Sequence, residues 1–277
     1  APYIDGEIIW SEGKNVLGAD NKSTIALFIE VVNLLKENRI EHVPFDILFT
    51  FAEEDHLAGI KLLSFDLLQH KKIVILDSSG EVGGIIESSP THYSFEIEIL
   101  GKSAHAGIEP EMGENAILKA CEIIKDFPKG RVDEYTTFNV GMIRGGAATN
   151  IVPDKVIIEG EFRSRKKEKI DELIEMFTLL SQKYDFIKVD LKKSYSNYEI
   201  DKKNEWLNEI ISKMNQCKIE HYFLESCGGS DSNILREQGF NAITLTSGMR
   251  NPHTYQEHIY LNELIKGTEL VFELLRA

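Results

Sequence analysis

The chain has 277 residues, which exceeds one typical domain and leaves room for a sizeable core. Hydrophobic residues make up 42% and charged residues 27%, a composition typical of folded proteins and unlike disordered chains. A formal charge of −14 disfavours binding to nucleic acid or to an anionic membrane, because like charges repel. No apolar run reaches the roughly 18–20 residues that span a bilayer, and the N-terminal residues lack a signal-peptide pattern.

The cysteines exclude two kinds of site. Cys121, Cys217 and Cys227 are odd in number, widely spaced and form no C-x-x-C pair. Neither a disulfide framework nor a thiolate zinc site is therefore expected. A reducing, cytoplasmic location fits this pattern best.

The first third of the chain alternates between helix and strand. Helical spacing of apolar residues predicts helices over residues 23–37 and 57–68. Residues 45–51 and 73–76 are short, almost wholly apolar runs and predict strands. Uniformly apolar strands are typical of a sheet covered by helices on both faces, which predicts α/β architecture here.

The period changes from residue 93, where residues 93–100 alternate between apolar and polar, as a half-exposed strand does. The elements predicted after it are a helix over 115–125, strands over 136–143 and 156–162, a helix over 167–180 and a strand over 186–191. This order is the split βαβ, ferredoxin-like unit.

The α/β pattern resumes near the C-terminus. The elements predicted there are helices over 205–214 and 230–237, a strand over 242–245 and a helix over 261–275. The sequence therefore predicts a small α+β domain, residues 90–196, inserted into a larger α/β domain formed by residues 1–89 and 197–277.

Acids and one histidine stand at strand ends or in turns of the α/β part: Asp20, the pair Glu53 and Glu54, Asp77 and His253. In an open α/β sheet, ligands bind at the carboxyl ends of strands, where these side chains would converge. Oxygen and imidazole ligands without cysteine suit zinc, cobalt or manganese. Each residue taken alone also fits an ordinary turn, helix start or surface position.

Seven ordered sequence blocks give these residues a context. They are G-A-D-N-K at 18–22, F-A-E-E-D-H-L-A-G at 51–59, L-D-S-S-G at 76–80, G-K-S-A-H-A-G-x-x-P-E-x-G at 101–113, G-G-A-A-T-N-I-V-P-D at 145–154, G-G-S-D at 228–231 and N-P-H-T-x-x-E-x-I at 251–259. In these blocks the chain resembles the peptidase T-like enzymes. Those enzymes belong to the di-zinc superfamily of aminoacylases, dipeptidases and glutamate carboxypeptidases.

The resemblance implies a fold and an activity. The fold would be a phosphorylase/hydrolase-like zinc exopeptidase catalytic domain with an inserted ferredoxin-like lid, which also serves for dimerisation. The activity would be that of a tripeptide aminopeptidase-like metallopeptidase acting on short peptides in the cytoplasm. A homodimer through the lid is expected, with the strand over residues 93–100 as an exposed edge for pairing.

The resemblance also implies metal ligands and a base. Asp20 corresponds to the carboxylate that bridges two divalent cations, expected to be zinc, with cobalt and manganese as alternatives. Glu54 and His253 correspond to the other ligands of one ion, and Asp77 to a ligand of the second. Glu53 corresponds to the general base that deprotonates the attacking water.

Four further positions correspond to residues near the substrate. His105 matches the lid histidine that assists the scissile carbonyl, often across a dimer interface. Asn150 and Arg163 fall where family members hold substrate carboxylate or carbonyl groups, and Gly229 lies in the expected pocket wall.

One block of the family has no counterpart. Family members carry a His-x-Asp on an early strand, and no residue before Gly18 replaces it. The second metal site, at Asp77, is therefore expected to be incomplete in this chain. Alternatives left open are a dipeptidase or N-acyl-amino-acid deacylase of the same superfamily, and a catalytically inactive dimerising scaffold. A serine hydrolase is disfavoured, because the sequence around Ser230 lacks the G-x-S-x-G elbow and instead predicts a helix start.

Overall fold

The computed structural model describes residues 2–277, which form two compact units. Unit 1 runs to Ser88 and resumes over Glu199–Ser226 and Ser230–Ala277. Unit 2 comprises Ser89–Tyr198 together with Cys227–Gly229. Among the described residues, no helix is both long enough and apolar enough to cross a membrane.

The helices and strands follow in chain order. The first are β1 (Tyr3–Asp5), β2 (Ile8–Trp10), α1 (Ala19–Glu37), α2 (Ala58–Lys61), β3 (Lys72–Ser78) and β4 (Gly84–Ser89). Next come β5 (Thr91–Leu100), α3 (Ala116–Ile124), β6 (Gly130–Arg131), β7 (Thr136–Gly145), β8 (Lys155–Ser164), α4 (Lys167–Lys183), β9 (Ile187–Tyr195) and β10 (Tyr198–Glu199). The last are α5 (Glu205–Gln216), β11 (Tyr222–Glu225), α6 (Asp231–Glu237), β12 (Asn241–Thr246), β13 (Met249–Arg250), β14 (His258–Tyr260) and α7 (Leu261–Leu275).

The main sheet of unit 1 contains the predicted apolar strands near residues 75 and 243. β12 pairs in parallel with β3, which ends the strand order, and β11 pairs in parallel with β4. Ala242 and Ile243 of β12 are fully buried, because parallel strands of this kind are covered on both faces. A second, antiparallel sheet has the order β1-β2-β14-β13.

The prediction of a strand over residues 45–51 is wrong, because the segment joins no sheet. Phe49 and Phe51 are 60% and 64% exposed. A β-strand requires backbone hydrogen bonds to a neighbouring strand. β3 pairs with β12 on one side, and residues 45–51 form no ladder on its other side. The segment and β3 instead line a cavity of about 920 Å³ in unit 1.

The predicted helix over residues 57–68 is also much shorter than expected. Leu57 has a left-handed φ of 61°, and α2 then runs only over Ala58–Lys61, followed by a 3₁₀ turn at Phe65–Leu67. Gly59 packs so closely on the chain that a Cβ there would lie 2.0 Å from the Phe51 carbonyl oxygen. Apolar spacing alone does not reveal such a tertiary contact.

Unit 2 has the predicted split βαβ order. Its antiparallel sheet runs β6-β7-β8-β5-β9, and α3 and α4 pack on the face that carries the apolar residues. Four phenylalanine rings form the centre of this core: Phe95, Phe138, Phe162 and Phe177. The opposite face is polar, because successive side chains along each strand alternate between the two faces.

The expectation that residues 93–100 form an exposed edge is wrong. β5 pairs with β8 on one side and with β9 on the other, since the first strand of a split βαβ unit lies inside the sheet. A free edge instead belongs to β7, because β6 covers only Thr137 and Phe138. Beyond these residues Met142 and Ile143 are each 51% exposed.

Candidate metal centre

Asp20 lies at a kink that begins α1. Gly18 before it has a left-handed φ of 72°, and Asp20 itself has non-helical dihedral angles. The buried carboxylate of Glu257 accepts hydrogen bonds from the backbone N–H groups of Gly18 and Asp20, at 2.6 and 2.9 Å. These bonds hold the backbone around Asp20, which departs from helical geometry at this point.

Three of the predicted metal ligands meet at one point. Nε2 of His253 lies 2.9 Å from Oδ2 of Asp20 and 2.7 Å from Oε1 of Glu54. One ligand atom from each residue lies within 4.8 Å of the others. Burial lowers the pKa of His253, but the Glu54 and Asp20 carboxylates outweigh that effect and leave its pKa raised.

Several backbone positions around these residues are unusual. His253 has a φ of 63°, and Ala52, just before the pair of glutamates, has a φ of 50°. Non-glycine residues in the left-handed region cost free energy and concentrate at functional sites. The loops that carry His253 and Glu54 are therefore held in place by their surroundings rather than by local preference.

Glu53 and Asp77 are more enclosed members of the same group of acids. Burial, followed by the charges of Asp77, Glu54, Asp231 and Asp20, raises the pKa of Glu53 to about 8. Burial and the neighbouring acids, Asp20 first, likewise raise the pKa of Asp77 to about 7. The Asn21 side chain donates to Oδ1 of Asp77 at 2.7 Å, which fixes the carboxylate.

The donor set fits a divalent cation. Two carboxylates and one imidazole converge, and oxygen and nitrogen donors of this kind bind zinc, cobalt or manganese. The surrounding acids carry excess negative charge, which a cation would offset and so favour their ionised forms. Asp20, Glu53, Glu54 and Asp77 also line the cavity beside β3, so the cluster is open to a ligand.

The remaining predicted site residues lie in unit 2. His105 and Asn150 stand on adjoining segments, where the Ala106 N–H donates to the Asn150 carbonyl and His105 bridges to Ile151. Arg163 lies on β8, and its side chain binds Glu161. Gly229 packs against Tyr195, where an added Cβ would lie 2.3 Å from the ring.

Sequence reasoning missed two acids of the centre. Glu257 fixes the Asp20 loop, and Asp231 faces Glu53 and Asp77 while accepting a hydrogen bond from Thr50 at 2.7 Å. Both acids lie inside the sequence blocks at 251–259 and 228–231. The blocks therefore mark these positions, but the sequence alone does not indicate what the two side chains do. Ser230, next to Asp231, caps α6 through a capping box, which confirms its prediction as a helix start.

The chain is similar to known peptidases over almost its whole length. Residues 90–185 match the M20 family model described as a peptidase dimerisation domain. The structure of aminopeptidase PepT from Bacillus cereus aligns with 99% of this chain and 75% of its own, at 32% identity and a TM-score of 0.84. A tripeptidase from Staphylococcus aureus aligns over the same shares, at 31% identity and a TM-score of 0.90.

A curated relative agrees with these structures. Peptidase T from Fusobacterium nucleatum is 29% identical over 286 residues, which cover 99% of this chain and 68% of the relative. The chain belongs to the M20 peptidases and is a metallopeptidase of the peptidase T-like kind.

Proposed function

We propose that this chain removes the N-terminal residue from short peptides, in the manner of a tripeptide aminopeptidase. The observation that carries the proposal is the convergence of Asp20, Glu54 and His253 within 4.8 Å, beside the half-buried Glu53. The likeness to an aminopeptidase and a tripeptidase supports the choice of substrate class.

The metal ligands follow from the cluster and from the family resemblance. In this proposal Asp20, Glu54 and His253 would hold one divalent cation, and Asp77 together with Asp20 would provide ligands for a second. Zinc is the proposed metal, because the donors combine carboxylate oxygens with an imidazole nitrogen. Bound there, the cations would polarise the scissile carbonyl and make a water molecule more acidic.

Glu53 is the proposed general base. It lies next to the ligand Glu54 and close enough to Asp77, Glu54 and Asp20 for their charges to act on it. Its carboxylate takes a proton from the attacking water and returns that proton to the nitrogen of the leaving amine. Glu53 and Glu54 are neighbours at the start of a turn, where the Glu54 carboxylate contacts His253 and that of Glu53 is more enclosed, so the two side chains can serve different roles.

The lid residues are proposed to hold the substrate. His105 stabilises the negative charge that develops on the scissile carbonyl oxygen, and the adjoining Asn150 donates its amide to a carbonyl group. Arg163 binds the terminal carboxylate of the peptide, and Gly229 leaves room in the pocket wall.

We also propose a homodimer formed through unit 2. The match to a peptidase dimerisation domain supports it, as does the free edge of β7 with exposed Met142 and Ile143. In family members the histidine that corresponds to His105 often acts across such an interface. If His105 does so in this chain, mixing inactive His105→Ala and Glu53→Ala subunits should restore partial activity. No recovery after verified subunit exchange would contradict the crossed arrangement.

The cytoplasmic location also remains a prediction.

A substrate comparison tests the proposed activity. The zinc-loaded chain is given a tripeptide with a free amino terminus, the same tripeptide N-acetylated, and a dipeptide. We expect release of the N-terminal residue from the free tripeptide, loss of this activity on chelation, and recovery when zinc is restored. Faster cleavage of the acetylated peptide or the dipeptide would favour a deacylase or a dipeptidase instead. No cleavage of any of them would favour an inactive scaffold.

A further inference from the structure

Three charged or titratable side chains meet on the polar face of the unit 2 sheet. Glu161 and Arg163 are two positions apart on β8, so they project from the same face. His92 on β5 lies directly opposite Arg163 in the strand register. Residues paired across strands on one face are close enough to interact, so the fold itself brings the three together.

The contacts form a chain from His92 through Glu161 to Arg163. Nε and Nη2 of Arg163 donate to the two carboxylate oxygens of Glu161, at 3.0 and 2.9 Å. Nε2 of His92 lies 2.9 Å from Oε2 of Glu161. The His92 side chain is 1% exposed and stacks on the Tyr195 ring at 5.3 Å. Glu161 is thus held on one side by a fully buried imidazole ring.

One nitrogen of Arg163 keeps its donor capacity. The fork to Glu161 uses Nε and Nη2, whereas Nη1 reaches the Cys227 carbonyl oxygen only at 3.5 Å, the outer limit of a hydrogen bond. A guanidinium carries five N–H donors in a rigid plane, so fixing one edge also fixes the direction of the others. Cys227 lies beside Gly229, which is proposed to line the substrate pocket.

We propose that Glu161, anchored by His92, is a positioning residue that fixes the guanidinium of Arg163 for the terminal carboxylate of a short peptide. The inference rests on the proposed function, in which Arg163 binds that carboxylate. A long side chain that is already immobilised loses little conformational entropy when the substrate binds. Releasing Arg163 from this constraint should therefore weaken substrate binding about 2- to 10-fold.

A purely structural ion pair would behave differently. Its loss would lower stability and alter all substrates alike, whereas loss of a positioning residue affects only peptides that carry the carboxylate. Two substrates separate these cases: a tripeptide with a free terminal carboxylate and the same tripeptide as its C-terminal amide.

The kinetic test compares three variants of the full chain, loaded with zinc. Glu161→Gln should raise KM for the free-acid peptide about 2- to 10-fold, with kcat nearly unchanged and KM for the amide unaffected. Glu161→Asp, which keeps the charge, should recover part of the lost affinity. The matched control is Glu159→Gln, which removes the same charge from the same face of β8 but from a carboxylate that pairs with Arg144. It should leave both KM values unchanged.

Two further experiments complement the kinetics: the first needs no turnover, and the second leaves Glu161 unchanged. The Nε–H resonance of Arg163, assigned with Arg163→Lys, should shift in a ¹⁵N spectrum of Glu161→Gln but not of Glu159→Gln. His92→Gln, which keeps an amide donor near the ring position, should retain the acid preference, and His92→Leu should lose it as Glu161→Gln does.

The failure of this inference is distinct from that of the proposed function. If Arg163→Lys abolishes the preference for the free acid while Glu161→Gln preserves it, Glu161 is not a positioning residue, although Arg163 still binds substrate. Equal effects of Glu161→Gln on acid and amide would also overturn the inference. If Arg163→Lys leaves the preference intact, the proposed substrate role of Arg163 is wrong, and the positioning role of Glu161 falls with it.

Discussion

Nε2 of His253 lies 2.9 Å from Oδ2 of Asp20, although 233 residues separate them in the chain. The loop that carries His253 also carries Glu257, whose carboxylate binds the Asp20 backbone. One short segment near the C-terminus therefore supplies a proposed ligand and holds the loop of another. The candidate metal centre is thus assembled by tertiary contacts within unit 1. Substitutions in the His253 loop should therefore affect Asp20, although the two are far apart in the sequence.

Replacing the proposed base should separate catalysis from metal binding. Glu53→Ala should lower kcat by about 10²–10⁴-fold, because the attacking water then lacks its proton acceptor. Metal content, measured by plasma mass spectrometry after dialysis, should stay near that of the parent chain. The matched control is Glu54→Ala, which should lose metal as well as activity. A Glu53→Ala chain that keeps most of its turnover would contradict the assignment.

Replacing Glu257 should weaken the metal site without removing a ligand. In Glu257→Gln the amide group accepts only one of the two backbone hydrogen bonds at Gly18 and Asp20. Because the side chain is 1% exposed, the unpaired N–H should cost about 1–3 kcal/mol in the free energy of unfolding. Zinc affinity, measured by competition with a chelating dye, should fall about 10- to 100-fold. Unchanged affinity together with lower stability would limit Glu257 to a structural role.

Acid should selectively remove the contribution of Glu161 to stability. The hydrogen bond from His92, opposed by burial and aided by Arg163, lowers the pKa of Glu161 from 4.5 to about 2. Because the folded pKa lies below the unfolded one, the contribution is complete above pH 4.5 and is lost as the pH falls toward 2. Because Glu161 is partly exposed to solvent, we expect its ionised form to contribute only about 1–2 kcal/mol to the free energy of unfolding.

Chemical denaturation at several pH values measures this contribution. The difference in unfolding free energy between the parent and Glu161→Gln should be largest near neutral pH and should shrink between pH 4.5 and 2. Glu159→Gln, whose carboxylate belongs to a different ion pair, serves as the control. A difference that stays constant across this range would show that ionised Glu161 does not stabilise the fold.

Charges on the free edge of β7 should break the proposed dimer. Met142→Glu and Ile143→Lys place charged groups where an interface would exclude water, and should weaken association at least about tenfold. Leu179→Glu on α4, at a residue 56% exposed in the same unit, is the control. Mass measured by light scattering should fall to that of one chain for the first two variants only. Variants that remain dimeric with a native circular dichroism spectrum would place the interface elsewhere.

Much of the fold was predictable because its signals are local. Alternation near residue 95 and helical spacing near residue 170 predicted unit 2 in the correct order of elements. Residues 45–51 were mispredicted, because an apolar run becomes a strand only if a neighbouring strand pairs with it. The interior place of β5 depends on how the strands of the split βαβ unit are arranged, which alternation does not encode.

Sequence patterns also predicted only part of the candidate site. Asp20, Glu54 and His253 were predicted from family blocks, and the structure brings them together. Glu257 and Glu161 were not, because each acts on a partner that only the folded chain places beside it: the Asp20 loop for one, and Arg163 with His92 for the other. Sequence patterns identify residues with chemistry of their own more readily than residues that position others.

We propose above all that Asp20, Glu54 and His253 hold a divalent cation. This binding is tested most directly by anomalous diffraction at the zinc edge, from crystals of the 277-residue chain that was loaded with zinc and then dialysed. We predict a strong peak about 2.0–2.2 Å from Oδ2 of Asp20, Oε1 of Glu54 and Nε2 of His253. At Asp77 we expect a weaker peak, because Asp77 and the shared Asp20 provide fewer ligands there. A strong peak at other residues, with none at the triad, would contradict the claim.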